Sequence, residues 1–114
     1  LHAYAPAKAA VISMTACLAA EWGPAGVRVN AVSPGYTLTP ALQNAIDRGE
    51  RDVSNLSNNA ALKRLVTPEE IAAVVAFLAS DAASAMTGVN VPVDCGWLAA
   101  TPWNTYGGLR EANG

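Results

Sequence analysis

Two short runs, Val27-Arg28-Val29-Asn30-Ala31-Val32 and Val89-Asn90-Val91-Pro92-Val93-Asp94, constrain the fold of this chain more than any other feature. The first is too short for a helix and too apolar for an edge, which is the profile of a strand buried in a parallel sheet, and Ser33-Pro34-Gly35 ends it. The second alternates, and Pro92 places it at an edge or at a strand end on that side. Between them Thr67-Pro68-Glu69-Glu70 reads as a capping box with proline at the first helical position. The helix that it opens runs from Pro68 to Ala79 and carries Ile71, Val74, Val75 and Leu78. Strand, helix and strand form one crossover unit, which should be right-handed. Two strands cannot bury both faces of a sheet. The expectation is therefore an α/β chain in which residues 1–114 form the carboxyl part of a single larger domain.

With 52% hydrophobic and 14% charged residues, the chain has a core to bury and is no solvated tail. Net charge is −2 and the Lys and Arg residues are scattered, which argues against nucleic acid or an anionic membrane as partner. No apolar run reaches the ~20 residues of a membrane span, and the amino end carries no charged-then-apolar signal pattern. A soluble cytoplasmic protein is expected. Cys17 and Cys95 have neither metal-ligand spacing nor disulfide-framework density, so both are expected reduced and structural, with no metal bound.

The chemistry-bearing feature is Tyr4-Ala5-Pro6-Ala7-Lys8. A helix is expected from His2 to Trp22, with Tyr4, Lys8, Val11, Thr15, Leu18 and Trp22 along one stripe and Gly23-Pro24 as its stop. Beyond Lys8 the stripe turns apolar and should be buried. Alanines on the other faces permit close packing against another helix, within the subunit or across an interface. On a helix a spacing of four puts phenol and ammonium on one face. Bringing a phenol of pKa ~10 near 7 asks for roughly 4 kcal/mol. One lysine charge at ~4 Å supplies about 1 kcal/mol in water and about 4 at an effective dielectric of ~20. The pair works as an acid/base only where water is excluded; the same spacing also arises by chance on surface helices.

The loop after the first strand, Pro34 to Thr39, lies where open α/β sheets gather ligands. Gly35 allows close approach of backbone, and Thr37 and Thr39 offer hydroxyls and amides; an ordinary turn is the alternative. Residues 41–66 hold a weak helical stripe and then polar, loop-prone stretches, which suggest either a roof over Tyr4 or a plain surface excursion. The tail from Trp97 carries Trp103 and Tyr106, and Pro102, Gly107 and Gly108 interrupt it too often for a helix or hairpin. Its aromatic area should cover the 41–66 segment or a neighbouring subunit, closing a substrate pocket or an oligomer interface; a loosely attached end is the alternative.

In order along the chain, Tyr4-x-x-x-Lys8, Asn30-Ala31-Val32-Ser33-Pro34-Gly35-Tyr36-Thr37-x-Thr39-Pro40, Thr67-Pro68-Glu69-Glu70-Ile71, and Thr87-Gly88 through Val93-Asp94-x-Gly96 resemble the classical short-chain dehydrogenase/reductase family. The resemblance implies the C-terminal part of a Rossmann-type, doubly wound parallel sheet and an NAD- or NADP-dependent oxidoreductase acting on a secondary alcohol or ketone. Tyr4 would exchange the hydroxyl proton. Lys8 would lower the Tyr4 pKa and hold the nicotinamide ribose. Pro34, Gly35 and the backbone at Thr37 would hold the carboxamide side of the ring, and Thr39 would reach toward the phosphates. Polyols and sugars are the closest substrate flavour. The family's glycine-rich phosphate loop and its catalytic serine and asparagine lie upstream of its tyrosine, so residues 1–114 alone are expected to be inactive. The partners implied are a small-molecule substrate and further copies of the chain, as a dimer or tetramer. A non-catalytic assembly partner and a nicotinamide-dependent epimerase or dehydratase are the competing readings.

Overall fold

Three hydrogen bonds set the register of the sheet. Val29 N–H donates to Thr87 Oγ1 (3.0 Å), Ala31 N–H to the Val89 carbonyl (2.9 Å) and Gly35 N–H to the Val93 carbonyl (2.9 Å), each joining residues 58 apart. A constant offset means that the two segments run the same way, so β1 (Ala31–Pro34) and β2 (Asn90–Val93) form a parallel pair. This computed structural model describes residues 3–112, and of Tyr4 the backbone alone. The described chain has the α/β architecture of part of a Rossmann-type domain.

The first strand lies later than the 27–32 run predicts. Side chains take over the pairing upstream: Asn30 donates from Nδ2 to the Met86 carbonyl (3.0 Å) and accepts Val89 N–H (3.2 Å), while Arg28 donates to the carbonyls of Met86 and Ser80. Pro34 continues the strand instead of ending it, for a positional reason. Ladder bonds fall on alternate residues, so with Ala31 and Gly35 facing β2 the missing N–H of Pro34 faces away. Pro92, between residues whose carbonyls face β1, is tolerated on the same ground.

Two compact units divide the chain: Leu1–Ser33 with Ala72–Pro92, and Pro34–Ile71 with Val93–Gly114. The first contains α1 (Tyr4–Trp22), with Pro6 in its first turn where no donor is lost. The expected start at His2 falls outside the described residues. The α-helix stops at Trp22 as expected, but a 3₁₀ turn, Gly23–Ala25, follows before Gly26 closes it at φ 82°. The expected buried stripe is only partly so. Thr15 and Ala19 are buried and Leu18 half-buried, whereas Val11 and Trp22 are 49% and 44% exposed. Of the alanines, Ala19 packs on a loop, where a Cβ at Gly88 would lie 3.3 Å from its own Cβ, and Ala5, Ala7, Ala9, Ala10, Ala16 and Ala20 are exposed. Cys17 is exposed and Cys95 half-buried, and both are free thiols. Among the described residues no helix is long and apolar enough to cross a membrane.

In the second unit, residues 41–66 are more helical than their composition suggests. Thr39 caps α2 (Pro40–Asp47) by accepting Leu42 N–H at 3.2 Å, and the Asp52 carboxylate accepts Ser54 N–H (2.9 Å) at the start of α3 (Ser54–Asn58). Local side-chain bonds thus offset weak periodicity. The tail corrects the expectation of an irregular segment as well. Asp94 accepts the N–H groups of Gly96 (2.9 Å) and Leu98 (3.1 Å) and starts a helical turn, Trp97–Ala100, which passes into a 3₁₀ turn, Thr101–Tyr106. Pro102 stands in the first turn of that segment, and Gly107 ends it at φ 90°. The residues expected to interrupt the tail bound its helical turns instead.

The capping box is as predicted. Glu70 accepts Thr67 N–H (2.9 Å), Thr67 Oγ1 accepts Glu70 N–H (3.2 Å), and α4 runs from Pro68 to Ala79. Arg64 adds a two-pronged ion pair to the same carboxylate, at 2.7 and 2.8 Å.

Two stability predictions follow from these contacts. Gly96 has φ 79°, and a Cβ there would stand 2.6 Å from the Ala61 Cβ, so Gly96→Ala should cost about 1–3 kcal/mol in urea unfolding; an unchanged midpoint would contradict this packing. The Arg64 guanidinium, followed by Thr67 N–H, pushes the Glu70 carboxyl down to about 2 from an ordinary 4.5. A depressed carboxyl contributes stability above its unfolded pKa and loses it as pH falls toward the folded one. Between pH 4.5 and 2 the wild type should therefore lose stability that Glu70→Gln never had, and parallel pH profiles for the two would refute the assignment.

Candidate functional site

The end of β1 places four of the six residues singled out by sequence in one loop of the second unit. Pro34 is exposed at the strand end. At Gly35 a Cβ would lie 2.7 Å from both Cα and Cβ of Asp94, so no side chain fits between the two strand ends. The glycine is required by Asp94, a neighbour to which sequence reasoning gave no role. Thr37 Oγ1 donates to the Gly35 carbonyl at 2.9 Å and tightens the turn.

Thr37 then forms a parallel bridge to Val66: Val66 N–H donates to the Tyr36 carbonyl (2.9 Å) and Leu38 N–H to the Val66 carbonyl (2.7 Å). Neither bond uses the amide of Thr37 itself. In a parallel bridge of this pattern that N–H faces the opposite side of the segment. The Thr37 carbonyl accepts Thr39 N–H (3.1 Å) and keeps a second lone pair. Thr39 Oγ1 accepts Leu42 N–H as the cap of α2 and keeps its own hydrogen to donate. The loop therefore presents an amide donor, a carbonyl and a hydroxyl donor beside a helix start. That set suits a carboxamide and a phosphate oxygen, so these residues fit a nicotinamide cofactor.

Tyr4 and Lys8 are in the first unit, on the opening turns of α1. The helix is unbroken between them, which keeps the spacing of four on one face, and Lys8 is exposed. The Tyr4 side chain lies outside the described residues.

Sequence reasoning missed several residues that shape the loop. Tyr36 packs edge-on against Trp97, ring centres 4.9 Å apart at 69°, which ties the tail to the residue after Gly35. Val66 is 1% exposed and forms the other half of the Thr37 bridge. Its signal was present in Leu65-Val66 ahead of the capping box, but a bridge of one residue pair has no periodicity to read. A cleft of about 600 Å³ in the first unit is lined, among the described residues, by Arg28, Asn30, Val32, Val75 and Leu78 together with Gly26 and Ala79. A smaller one of about 200 Å³ includes Thr39.

A family model described as enoyl-(acyl carrier protein) reductase matches residues 1–98. Galactitol 2-dehydrogenase of Rhizobium johnstonii is 46% identical over 95 residues, covering 83% of this chain and 37% of that protein. A solved structure named as ribose-5-phosphate isomerase from Brucella melitensis 16M is 58% identical with a TM-score of 0.86, covering 97% of this chain and 43% of that one. 4-Hydroxyisoleucine dehydrogenase complexed with NADH is 34% identical with a TM-score of 0.76, covering 86% of this chain and 40% of that one; further similar structures hold NADP. The chain spans less than half the length of each of these proteins. A family match over most of the sequence, with dehydrogenases among the relatives, leads to one conclusion: the chain belongs to the short-chain dehydrogenase/reductase family.

Proposed function

We propose that this chain is the C-terminal part of an NAD(P)-dependent oxidoreductase that interconverts a secondary alcohol and a ketone, with polyols and sugars as the first substrates to test. The observation that carries this reading is the unbroken α1, which keeps Tyr4 and Lys8 four residues apart on one helix face in a chain of this family. A bound nicotinamide supplies the hydride acceptor or donor. Tyr4 takes the hydroxyl proton during oxidation and returns it during reduction. Lys8 stabilises the phenolate and binds the ribose hydroxyls. Pro34 and Gly35 shape the loop, the Thr37 amide binds the carboxamide, and the Thr39 hydroxyl binds a phosphate oxygen. Residues 41–66 serve as a substrate lid and 97–114 as a tail closing a pocket or a homo-oligomer interface. The names of the relatives favour this activity, through galactitol 2-dehydrogenase and an NADH-bound dehydrogenase.

The name of the 58% identical structure supports a second reading, isomerisation of a sugar phosphate by proton transfer alone. The two differ in their need for nicotinamide.

In the intact protein Tyr4→Phe removes the proton acceptor and keeps the ring, so turnover should fall about 10²-fold or more with the fold retained. Near-normal turnover would sink the role of Tyr4. Alcohol oxidation should rise with pH as Tyr4 deprotonates. Removing the nearby positive charge raises the phenol pKa, so Lys8→Met should move that rise to higher pH. An unshifted profile would show that Lys8 does not tune it. Sugar-phosphate isomerisation without added nicotinamide, and no hydride transfer with it, would favour the second reading.

A further inference from the structure

We propose that Arg64 and Glu70 are positioning residues for the cofactor loop: their ion pair orients the two peptide planes of Val66 that hold the Thr37 amide in place. The inference rests on the cofactor reading above. Its basis is that the Thr37–Val66 bridge is isolated, outside both strands, and consists of two hydrogen bonds. No neighbouring rungs fix its angle, so the direction of the Thr37 N–H depends on how the peptide groups on either side of Val66 are turned.

Each of those groups is held at both ends. The peptide joining Leu65 to Val66 donates its N–H to the Tyr36 carbonyl (2.9 Å), and its carbonyl accepts Arg64 Nη1 (3.2 Å). The peptide joining Val66 to Thr67 accepts Leu38 N–H through its carbonyl (2.7 Å), and its N–H donates to Glu70 Oε1 (2.9 Å). A peptide group is planar, so fixing one end fixes the other. The same Arg64 Nη1 and Glu70 Oε1 also meet each other at 2.7 Å, with a second prong from Nη2 to Oε2 at 2.8 Å. Residues 64–70 are thereby closed into a ring with Val66 inside it, and the Val66 side chain is 1% exposed.

Solvent screening discounts what an exposed ion pair contributes to global stability, leaving the modest pH-dependent part described above. Here the side chains are 47% and 40% exposed, so the effect of losing the pair falls on the local geometry of the bridge. Lysine at position 64 would keep the charge but present no planar fork, and a point donor cannot hold both carboxylate oxygens and the Leu65 carbonyl together.

The test uses the intact protein with Arg64→Met, Arg64→Lys and Glu70→Gln. Gln retains the capping box, so that variant keeps α4 while losing the ion pair. Without cofactor, amide hydrogen exchange at Leu38 and Val66 should quicken about tenfold in Arg64→Met and Glu70→Gln, with α1 amides unchanged. The NADH dissociation constant and the cofactor KM should rise by roughly the same factor of ten, with kcat changed less, and Arg64→Lys should recover only part of each. Wild-type binding of NADH with unaltered exchange and KM in the variants overturns the inference and leaves the cofactor reading standing. A wild type that binds no NADH or NADPH overturns the cofactor reading and the loop's role with it.

Discussion

The parallel pairing of β1 with β2 at a fixed offset is the constraint on which the second unit's loop depends. Because Gly35 N–H reaches the Val93 carbonyl, the last rung of the ladder brings Gly35 against Asp94. Asp94 then starts the tail's helical turn with its carboxylate, while the chain beyond Gly35 turns through Thr37 to the cap of α2. One pairing thus sends two segments away from a common strand edge, the edge at which open α/β sheets bind ligands. The glycine is needed because two backbones meet there, and what it leaves exposed to a ligand is the far side of Thr37.

Legibility in the sequence followed how local the determining forces are. The start of α4 was readable because a capping box closes within four residues, Thr67 to Glu70, and needs no partner elsewhere. The type and order of both strands were readable from β-branched runs, but the boundary of β1 was not. Asn30 and Arg28 pair through side chains with residues more than fifty positions away, and no local pattern reports that. The tail was misread because Pro102, Gly107 and Gly108 punctuate loops and also bound helical turns. The bonds to Asp94 that start the first turn, and those that close the next turn on the Trp103 carbonyl, decide between those uses.

The candidate site divides in the same way. Tyr4 and Lys8 are nominated by a spacing that any helix converts to a shared face, and the loop at Pro34 to Thr39 by its position after a strand. The residues that hold the loop were missed. Val66 pairs through its backbone with Tyr36 and Leu38, some thirty positions away, and Arg64 through a guanidinium that no short motif includes, while Glu70 and Asp94 stand in motifs that report a helix cap and a strand end and not a hold on this loop. Thr39 shows that the cap and the proposed role are compatible: its oxygen caps α2 and its hydrogen remains to donate.

The central claim is that this chain supplies one part of a nicotinamide site and needs the rest of a Rossmann-type domain to bind the cofactor. Fluorescence titration of NADH and NADPH tests it most directly, carried out side by side on the intact protein and on residues 1–114 alone. The account predicts saturable binding by the intact protein and none by residues 1–114 at micromolar concentrations, where no glycine-rich phosphate turn is present. Tight binding by residues 1–114, or none by the intact protein, would contradict it.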